Sequence, residues 1–287
     1  MGGTVVAVVT DSAANVPPDV ALELGLAVAP LEVRFGGRAF KDGVDMVGGD
    51  FYKRLANEAD PPSTAAPTPG DYLEAFRASG ADEVVCVTLA AGLSVANRQA
   101  LLAAEEFGGR VEVVDSGSAT MGEGFVAIES ARTAQRGAGL EEVAARAKEV
   151  AGRVRVLGAI ETFEFLKRSG RVSKVQAYAA TKLDIKPVFR LDEGEIRPVA
   201  RPRTRARALS RIVQNAVAEA AGRPVHLAAF HAMAEDAANE LMERVVVQAE
   251  VVEQFVVDST PAIGAHTGPG LVGLAFHCDV DRPKVGD

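Results

Sequence analysis

The first half of the chain alternates short β-branched runs with segments of helical pattern, and this alternation constrains the fold more than any other feature. Strand and helix pairs are predicted at residues 5–9 and 17–24, 83–88 and 94–107, and 111–114 and 124–135. Parallel strands need long crossover connections, which helices usually supply. We therefore predict a mainly parallel α/β domain in the first half.

Two segments interrupt this alternation. Residues 31–42 contain two short apolar runs on either side of Gly36-Gly37, which is the composition of a tight hairpin turn. Residues 60–70 contain four prolines among small polar residues, so they can form neither a helix interior nor a central strand. We predict an ordered loop there, followed by a helix at Asp71.

The second half has a different order of elements. After a helix at residues 140–150, it is predicted to contain a strand at 154–160, a hairpin of 185–191 and 195–200, a helix at 203–221, a strand at 224–230, a helix at 232–246 and a strand at 250–257. This order suits a two-layer α+β domain. A chain of 287 residues that is 48% hydrophobic can bury two cores. We predict domains at residues 1–152 and 153–287.

Composition and charge argue against several classes of function. The formal net charge of −8 disfavours nucleic acid or an anionic membrane as the main partner. The apolar run at the amino terminus ends at Asp11, too short for a signal peptide or a membrane span, so we expect a cytoplasmic protein without stable membrane insertion. The two cysteines, Cys86 and Cys278, are far apart and support neither a disulfide framework nor a metal site.

An Asp-Ser pair follows each of three predicted strands. The pairs are Asp11-Ser12, Asp115-Ser116 and Asp258-Ser259. Open α/β sheets bind their ligands at the carboxyl ends of the strands, where these pairs lie. Any one pair is explained better by helix capping or turn formation, but three together favour a functional rim. Ser12 and Ser116 are therefore candidate ligand-binding residues.

Three other residues are candidates for ligand contact. Ser94 follows a predicted strand and opens the next helix, so its hydroxyl would face a docked anion, although a plain helix cap is equally consistent. His266 lies in residues 264–270, where three glycines and a proline predict a tight exposed loop around one imidazole. Thr64 could offer a neutral donor from the proline-rich loop, or simply form a turn.

The same residues also allow enzymatic alternatives. Residues 92–96 fall one residue short of the nucleophile elbow of α/β-hydrolases, so a serine hydrolase that uses Ser94 and His266 stays open. Gly122-Glu123-Gly124 begins a loose match to the dinucleotide fingerprint, but it is separated from its strand. No phosphate-binding loop that ends in Gly-Lys-Ser or Gly-Lys-Thr occurs, which disfavours kinase or ATPase activity of that class.

A group of basic residues breaks the acidic trend. It comprises Lys167, Arg168, Arg171, Lys174, Arg197, Arg201, Arg203, Arg205, Arg207 and Arg211. Arginines grouped in this way suit a carboxylate- or phosphate-bearing partner. A solvated helix face explains residues 205–211 somewhat better, whereas Arg171 and Arg203 favour a binding role.

Several of these segments recur together in the DegV family, which the chain resembles nearly from end to end. The segments are residues 10–12, 41–45, 64–67, 92–94, 114–116, 165–173, 185–187 and 264–270. Each is weakly specific alone, but the ordered set is highly specific. The chain departs from the usual family pattern at Ala65-Ala66, at Ala90-Ala91 and at residues 95–97.

The resemblance implies an EDD-type two-domain protein of bacteria that binds a long-chain fatty acid and needs no cofactor. The ligand would be of the palmitate, stearate or oleate class, with its tail in a closed apolar tunnel and its carboxylate near the surface. Thr64, Ser94 and His266 match the head-group positions of the family, and Thr267 lies in the same motif as His266.

The resemblance also implies a protein partner. Family members that serve fatty acid kinase present the carboxylate to a separate ATP-dependent subunit, which makes an acyl phosphate for phospholipid synthesis. Arg171 and Arg203 match positions implicated in that docking. A protein that presents its ligand in this way needs no catalytic base, so we expect a carrier and not an enzyme. A phosphoryl-transfer component with His266 as acceptor stays a third hypothesis, because the family fold is related to dihydroxyacetone kinase subunits.

Overall fold

A computed structural model of the chain describes residues 5–58, 60–171 and 185–279. Its strands are β1 (Val6–Asp11), β2 (Ala27–Ala29), β3 (Glu32–Phe35), β4 (Arg38–Lys41), β5 (Ser63–Ala65), β6 (Glu83–Thr88), β7 (Arg110–Asp115), β8 (Arg155–Ala159), β9 (Val188–Asp192), β10 (Glu195–Ala200), β11 (Val225–His231), β12 (Val251–Asp258) and β13 (Val272–Cys278). Its helices are α1 (Pro18–Leu24), α2 (Gly48–Asn57), α3 (Pro69–Ala78), α4 (Ala96–Glu106), α5 (Met121–Gln135), α6 (Leu140–Arg153), α7 (Glu164–Arg168), α8 (Arg205–Ala220), α9 (Glu235–Val246) and α10 (Pro261–Thr267).

The first sheet is fully parallel, which confirms the predicted α/β architecture of the first half. Its strand order is β2-β1-β6-β7. Val84 and Cys86 on β6 pack toward α3 and α4, whereas Val85 and Val87 pack toward α5 and α6. Both faces of the sheet are therefore covered by helices. Burial on both faces explains why these strands read as continuous apolar runs and not as alternating ones.

The predicted hairpin is confirmed as β3 and β4, but its sheet has a third strand. Gly36 and Gly37 form the turn with φ of 51° and 81°, a conformation that glycine adopts at little cost. The proline-rich segment, predicted to be a loop, contains the short strand β5, which pairs antiparallel with β3 and places Thr64 opposite Val33. Pairing on one edge of a small sheet is compatible with nearby prolines, so the loop prediction was wrong over these three residues.

The second sheet is mixed and lies in the predicted C-terminal α+β region. Its order is β10-β9-β8-β13-β11-β12, with β11 and β12 parallel and the other neighbours antiparallel. Helices α8 and α9 cover one face. The other face packs into the core that contains α5 and α6, so the two sheets share this helical layer. The domain boundary near residue 152 stays a prediction.

A central strand of the second sheet was not predicted from the sequence. Strand β13 lies between β8 and β11 and is buried along its whole length. Gly273 and His277 interrupt its apolar pattern, and complete burial removes the alternation that would mark a half-exposed strand. Gly273 is needed because a Cβ there would overlap the ring of Phe230 on β11.

An ionic network joins the shared helices to the second sheet. Arg132 on α5 donates to both carboxylate oxygens of Glu253 on β12, each at 2.7 Å, and to Glu129 at 2.9 Å. Arg146 on α6 also donates to Glu129. The Nδ1 atom of His226 lies 2.6 Å from Glu253. Burial raises the pKa of Glu253, but the bonds from Arg132 and His226 outweigh burial and lower it to about 2.

We expect the substitution Arg132→Ala to lower the free energy of unfolding by about 1–2 kcal/mol, because it leaves Glu129 with only Arg146 and Glu253 with only His226 as charged partner in a site only partly screened by solvent. Urea denaturation monitored by circular dichroism measures this change. Lys53→Ala is the matched control, since Lys53 pairs with Asp50 on an exposed surface. It should change stability by less than about 0.5 kcal/mol. Equal effects of the two substitutions would contradict a structural role for the network.

Candidate functional site

A cavity of about 810 Å³ lies between the two sheets. Its apolar wall is drawn from both halves of the chain and includes Leu31, Leu89, Leu93, Val156, Leu166, Phe189, Leu191, Ile196, Phe230, Ile263 and Leu271. A volume of this size is typical of a small-molecule site. The site is complete only when the two halves are packed together.

The tip of the β9–β10 hairpin closes one side of the cavity. The amide of Gly194 donates to the carbonyl of Gly117 at 2.8 Å, which joins the hairpin to a loop of the first half. Gly194 also approaches Gly92 so closely that a Cβ on Gly92 would lie 2.6 Å from the Gly194 carbonyl oxygen. The glycine that precedes Leu93 and Ser94 is therefore required for this contact.

Four of the six predicted ligand residues line the same cavity. They are Thr64, Ser94, His266 and Thr267. Thr64 Oγ1 and His266 Nε2 are joined by a hydrogen bond of 2.8 Å. These residues give one part of a mainly apolar cavity a group of neutral hydroxyls and an imidazole.

His266 lies on a helix and not in the exposed loop that its glycines predicted. It occupies the last turn of α10, which ends at Gly268 with φ of 72°. Gly264 lies within this helix, and glycine is required there because a Cβ would lie 2.6 Å from the hydroxyl of Tyr52. The glycines thus allow α10 to pack closely on α2 and then to end, and this packing directs His266 toward Thr64.

The imidazole of His266 is neutral at physiological pH. Burial, with a smaller contribution from the positive charge of Arg171, lowers the pKa of His266 to about 4. Its Nδ1 atom is buried and has no hydrogen-bond partner among the described residues. The ring therefore acts as a neutral donor or acceptor and not as a cation.

Ser94 forms a capping bond and also lies at the cavity wall, so its place allows both of the roles that the sequence left open. Helix α4 begins at Ala96, two residues later than predicted, and its N-cap residue Val95 offers no side-chain bond. Ser94 Oγ instead accepts a bond from the amide of Ala96 at 3.1 Å. The hydroxyl caps the helix and also lines the cavity.

The hydrolase arrangement is not formed by these residues. The Nε2 atom of His266 is bonded to Thr64 and not to Ser94. A serine nucleophile needs its base within hydrogen-bond reach. The geometry therefore gives the hydrolase hypothesis no support.

Ser12 and Ser116 do not line the cavity, so the structure does not bring these two candidates together with the other four. Ser12 Oγ donates to Asp42 at 2.7 Å and accepts from the amide of Leu31 at 3.0 Å. Ser116 Oγ donates to the carbonyl of Ser118 at 3.2 Å and accepts from its amide at 3.1 Å. Both serines are buried, but only Ser116 forms the local bonds that the turn-forming interpretation expects, since the partners of Ser12 are distant in the sequence.

Carboxylates near these serines accept hydrogen bonds from backbone amides of the cavity wall. The amide of Leu89 donates to Asp11 at 2.9 Å, and that of Ala262 donates to Asp42 at 3.2 Å. Asp115 accepts from the amide of Ala91 at 3.2 Å. Each donor belongs to a residue that lines the cavity. Sequence reasoning assigned no such role to Asp42, although its place just after the hairpin was a signal that it could bond to backbone amides.

The two predicted docking arginines lie in different environments. Arg171 is half-buried, lines the cavity and donates to the carbonyl of Ser169 at 2.5 Å. Arg203 is exposed and precedes the N-cap of α8. Lys174 and the end of the motif at residues 172–173 lie outside the described residues.

A cluster of Glu129, His226 and His277 has the residue types of a metal site but not the geometry. Its ligand atoms lie within 4.8 Å of one another. The centroids of the two imidazole rings are 4.4 Å apart and the rings are stacked with an interplanar angle of 6°. Their nitrogen lone pairs therefore lie in two nearly parallel planes and do not point at one common atom. Glu129 is already bound by two arginines. The cluster is better explained as part of the ionic network.

The fold and the cavity together define an α/β protein with a parallel and a mixed sheet and a mainly apolar cavity between them, and the comparisons assign its family. The chain belongs to the DegV family, whose sequence profile, described as that of an uncharacterised protein, matches residues 5–278. A DegV domain-containing protein of Streptomyces coelicolor is 34% identical over 273 residues, which cover 94% of this chain and 97% of that protein.

Solved structures give the same assignment. A DegV family protein from Thermus thermophilus, described by its fatty acid binding, superposes with a TM-score of 0.91 at 32% identity and covers 96% of this chain and 99% of that one. DegV from Bacillus subtilis, described as a fatty acid binding protein, gives 0.85 at 26% identity with 96% and 100% coverage. In the described part of this chain, no helix has the length and apolar character needed to cross a bilayer.

We expect the ring of His266 to stay neutral across roughly pH 5 to 8, where an ordinary histidine changes charge. Its NMR titration midpoint should lie at about 4. His226 provides an internal comparison, because burial lowers its pKa but the bonds to Glu253 and Asp279 outweigh burial and raise it above 6.5. A midpoint for His266 at its ordinary value would show that water reaches the ring and would contradict the buried site.

Proposed function

We propose that this chain binds one long-chain fatty acid of the palmitate, stearate or oleate class in the cavity between its sheets. The carboxylate is held by Thr64, Ser94 and His266, with Thr267 beside them. The observation that carries the proposal is a mainly apolar cavity with a small polar region. In that region the hydroxyl of Thr64 and the neutral imidazole of His266 are joined by a hydrogen bond. The fatty acid binding described for the relatives from Thermus thermophilus and Bacillus subtilis supports it.

Neutral donors can hold a carboxylate without a buried salt bridge. If the proton of His266 is on Nε2, the imidazole donates to Thr64 Oγ1, and the threonine hydroxyl is then free to donate to the carboxylate. The Ser94 hydroxyl can donate to the same group while its oxygen accepts from Ala96. A hydrogen bond to a charged group contributes about 1.5–3 kcal/mol, so these donors fix the position of the head group.

The apolar wall accounts for most of the affinity in this proposal. Each methylene group transferred from water contributes about 0.8 kcal/mol, so a long tail outweighs a few head-group bonds. The same wall makes the cavity unsuitable for a sugar or a nucleotide, whose hydroxyls would be left unpaired. The chain is thus a carrier whose specificity lies in the shape of its wall.

The first test is mass spectrometry of lipid extracted from denatured protein, followed by oleate titration of the emptied protein. We expect a stoichiometric fatty acid in the wild type, and an affinity about 10- to 100-fold weaker in Thr64→Val, Ser94→Ala and His266→Ala. The first two substitutions remove a bond to a charged group, and the third removes the ring that orients the Thr64 hydroxyl toward it. Ser63→Ala is the matched control, since it removes an exposed hydroxyl beside Thr64 on the same strand. An empty wild type that takes up no added fatty acid would refute the proposal.

We further infer that the bound fatty acid is presented in the cytoplasm to a separate ATP-dependent kinase subunit, which forms an acyl phosphate for phospholipid synthesis. Arg171, at the cavity, and Arg203, exposed before α8, would contact that subunit. A protein that only carries its ligand needs no nucleophile or base, in agreement with the bonding of His266 to Thr64.

Acyl phosphate formation by a mixture of the loaded protein, ATP and a fatty acid kinase subunit tests the partner. Arg203→Ala should lower the rate about tenfold, as the loss of one charge-assisted contact predicts, and leave the fatty acid content unchanged. Arg77→Ala, which removes an exposed arginine on α3, is the control. An unchanged rate in Arg203→Ala would show that this residue is not part of the docking surface. Absence of acyl phosphate with the wild-type protein would refute the proposed kinase partner.

A further inference from the structure

A second cavity, of about 400 Å³, lies against α8 and is separate from the fatty acid site. Its wall is formed by Ala200, Arg201, Pro202, Arg207, Ser210, Arg211 and Gln214. Three of these seven residues are arginines, and none is acidic. The two cavities have no lining residue in common.

Two of these arginines differ from their neighbour Arg205 in their ion pairing. In the described part of the chain, neither Arg207 nor Arg211 forms an ion pair, whereas their neighbour Arg205 is paired with Glu161 at 2.8 Å. Arg207 and Arg211 are four residues apart on one helix face, where like charges repel. Arg207 also lies in the first turn of α8, which contains no acidic residue and where the helix dipole disfavours a cation.

A fourth arginine approaches the same cavity from the next helix. Arg244 on α9 donates to Ser210 Oγ at 2.9 Å, and Ser210 in turn donates to the carbonyl of Ala206. Arg244 is paired with Glu240, so its charge is compensated. The contact fixes Ser210 at the cavity wall, which Arg207 and Arg211 also line.

We propose that this cavity binds the phosphate group of a small molecule, either inorganic phosphate or a phosphate monoester. A dianionic phosphate would relieve the repulsion between Arg207 and Arg211, and the planar fork of a guanidinium matches two phosphate oxygens. A concave cavity of this volume suits a small ligand better than a flat macromolecular surface. The net charge of −8 opposes attraction to an anionic bilayer or nucleic acid.

The test is calorimetric titration of the full-length protein with inorganic phosphate and with phenyl phosphate at low ionic strength, while NMR follows the arginine Nε signals. We expect both ligands to bind at one shared site and to shift the signals of Arg207 and Arg211. Arg207→Gln and Arg211→Gln should each weaken binding about tenfold, because each removes a charge-assisted contact. Arg207→Lys should recover part of the loss, since it restores the charge without the fork.

Arg77→Gln is the control for a general loss of positive charge and should bind phosphate as the wild type does. The fatty acid content of every variant should be unchanged, so the result is independent of the function proposed for the first cavity. Absence of phosphate binding, or binding that the Arg207→Gln and Arg211→Gln substitutions leave intact, would overturn the proposal. Binding of phosphatidylglycerol vesicles without binding of either small phosphate would also overturn it.

Discussion

The cavity between the sheets depends on buried carboxylates that bond to the backbone of its wall. Asp11 fixes Leu89, and Asp42 fixes Ala262. Burial raises the pKa of both carboxyls to about 6, while these amides, with Tyr72 at Asp11 and Ser12 at Asp42, oppose the rise. The two carboxyl groups hold loops that would otherwise leave amides without partners.

The sequence predicted the parts of the fold that depend on local pattern. The parallel strands, the Gly36-Gly37 hairpin and the capping role of Ser94 all follow from residues close in the chain. Strand β13 and the helix around His266 were missed because tertiary packing decides them. Gly273 and Gly264 look like loop residues in the sequence, yet each is the only residue that leaves room for a neighbouring aromatic side chain.

The same distinction applies to the site. Thr64 and His266 are 202 residues apart and meet because β5 pairs with β3 and because α10 packs on α2. No local pattern could predict that bond, whereas the resemblance to the DegV family could propose both residues without explaining their geometry. The Asp-Ser pairs were located correctly at strand ends, but Ser12 and Ser116 do not line the cavity, and their hydroxyls bond to other groups of the protein.

Assembly of the two halves and ligand binding must be linked, because both sheets contribute to the wall. Contacts that close the halves, such as Gly194 with Gly117 and Arg132 with Glu253, therefore stabilise the cavity without touching its contents. A ligand that binds only the assembled form stabilises it in return. The neutral site that we propose for the head group suits a carrier that must also release its ligand, since a carboxylate held by hydroxyls leaves no unpaired buried cation when it departs.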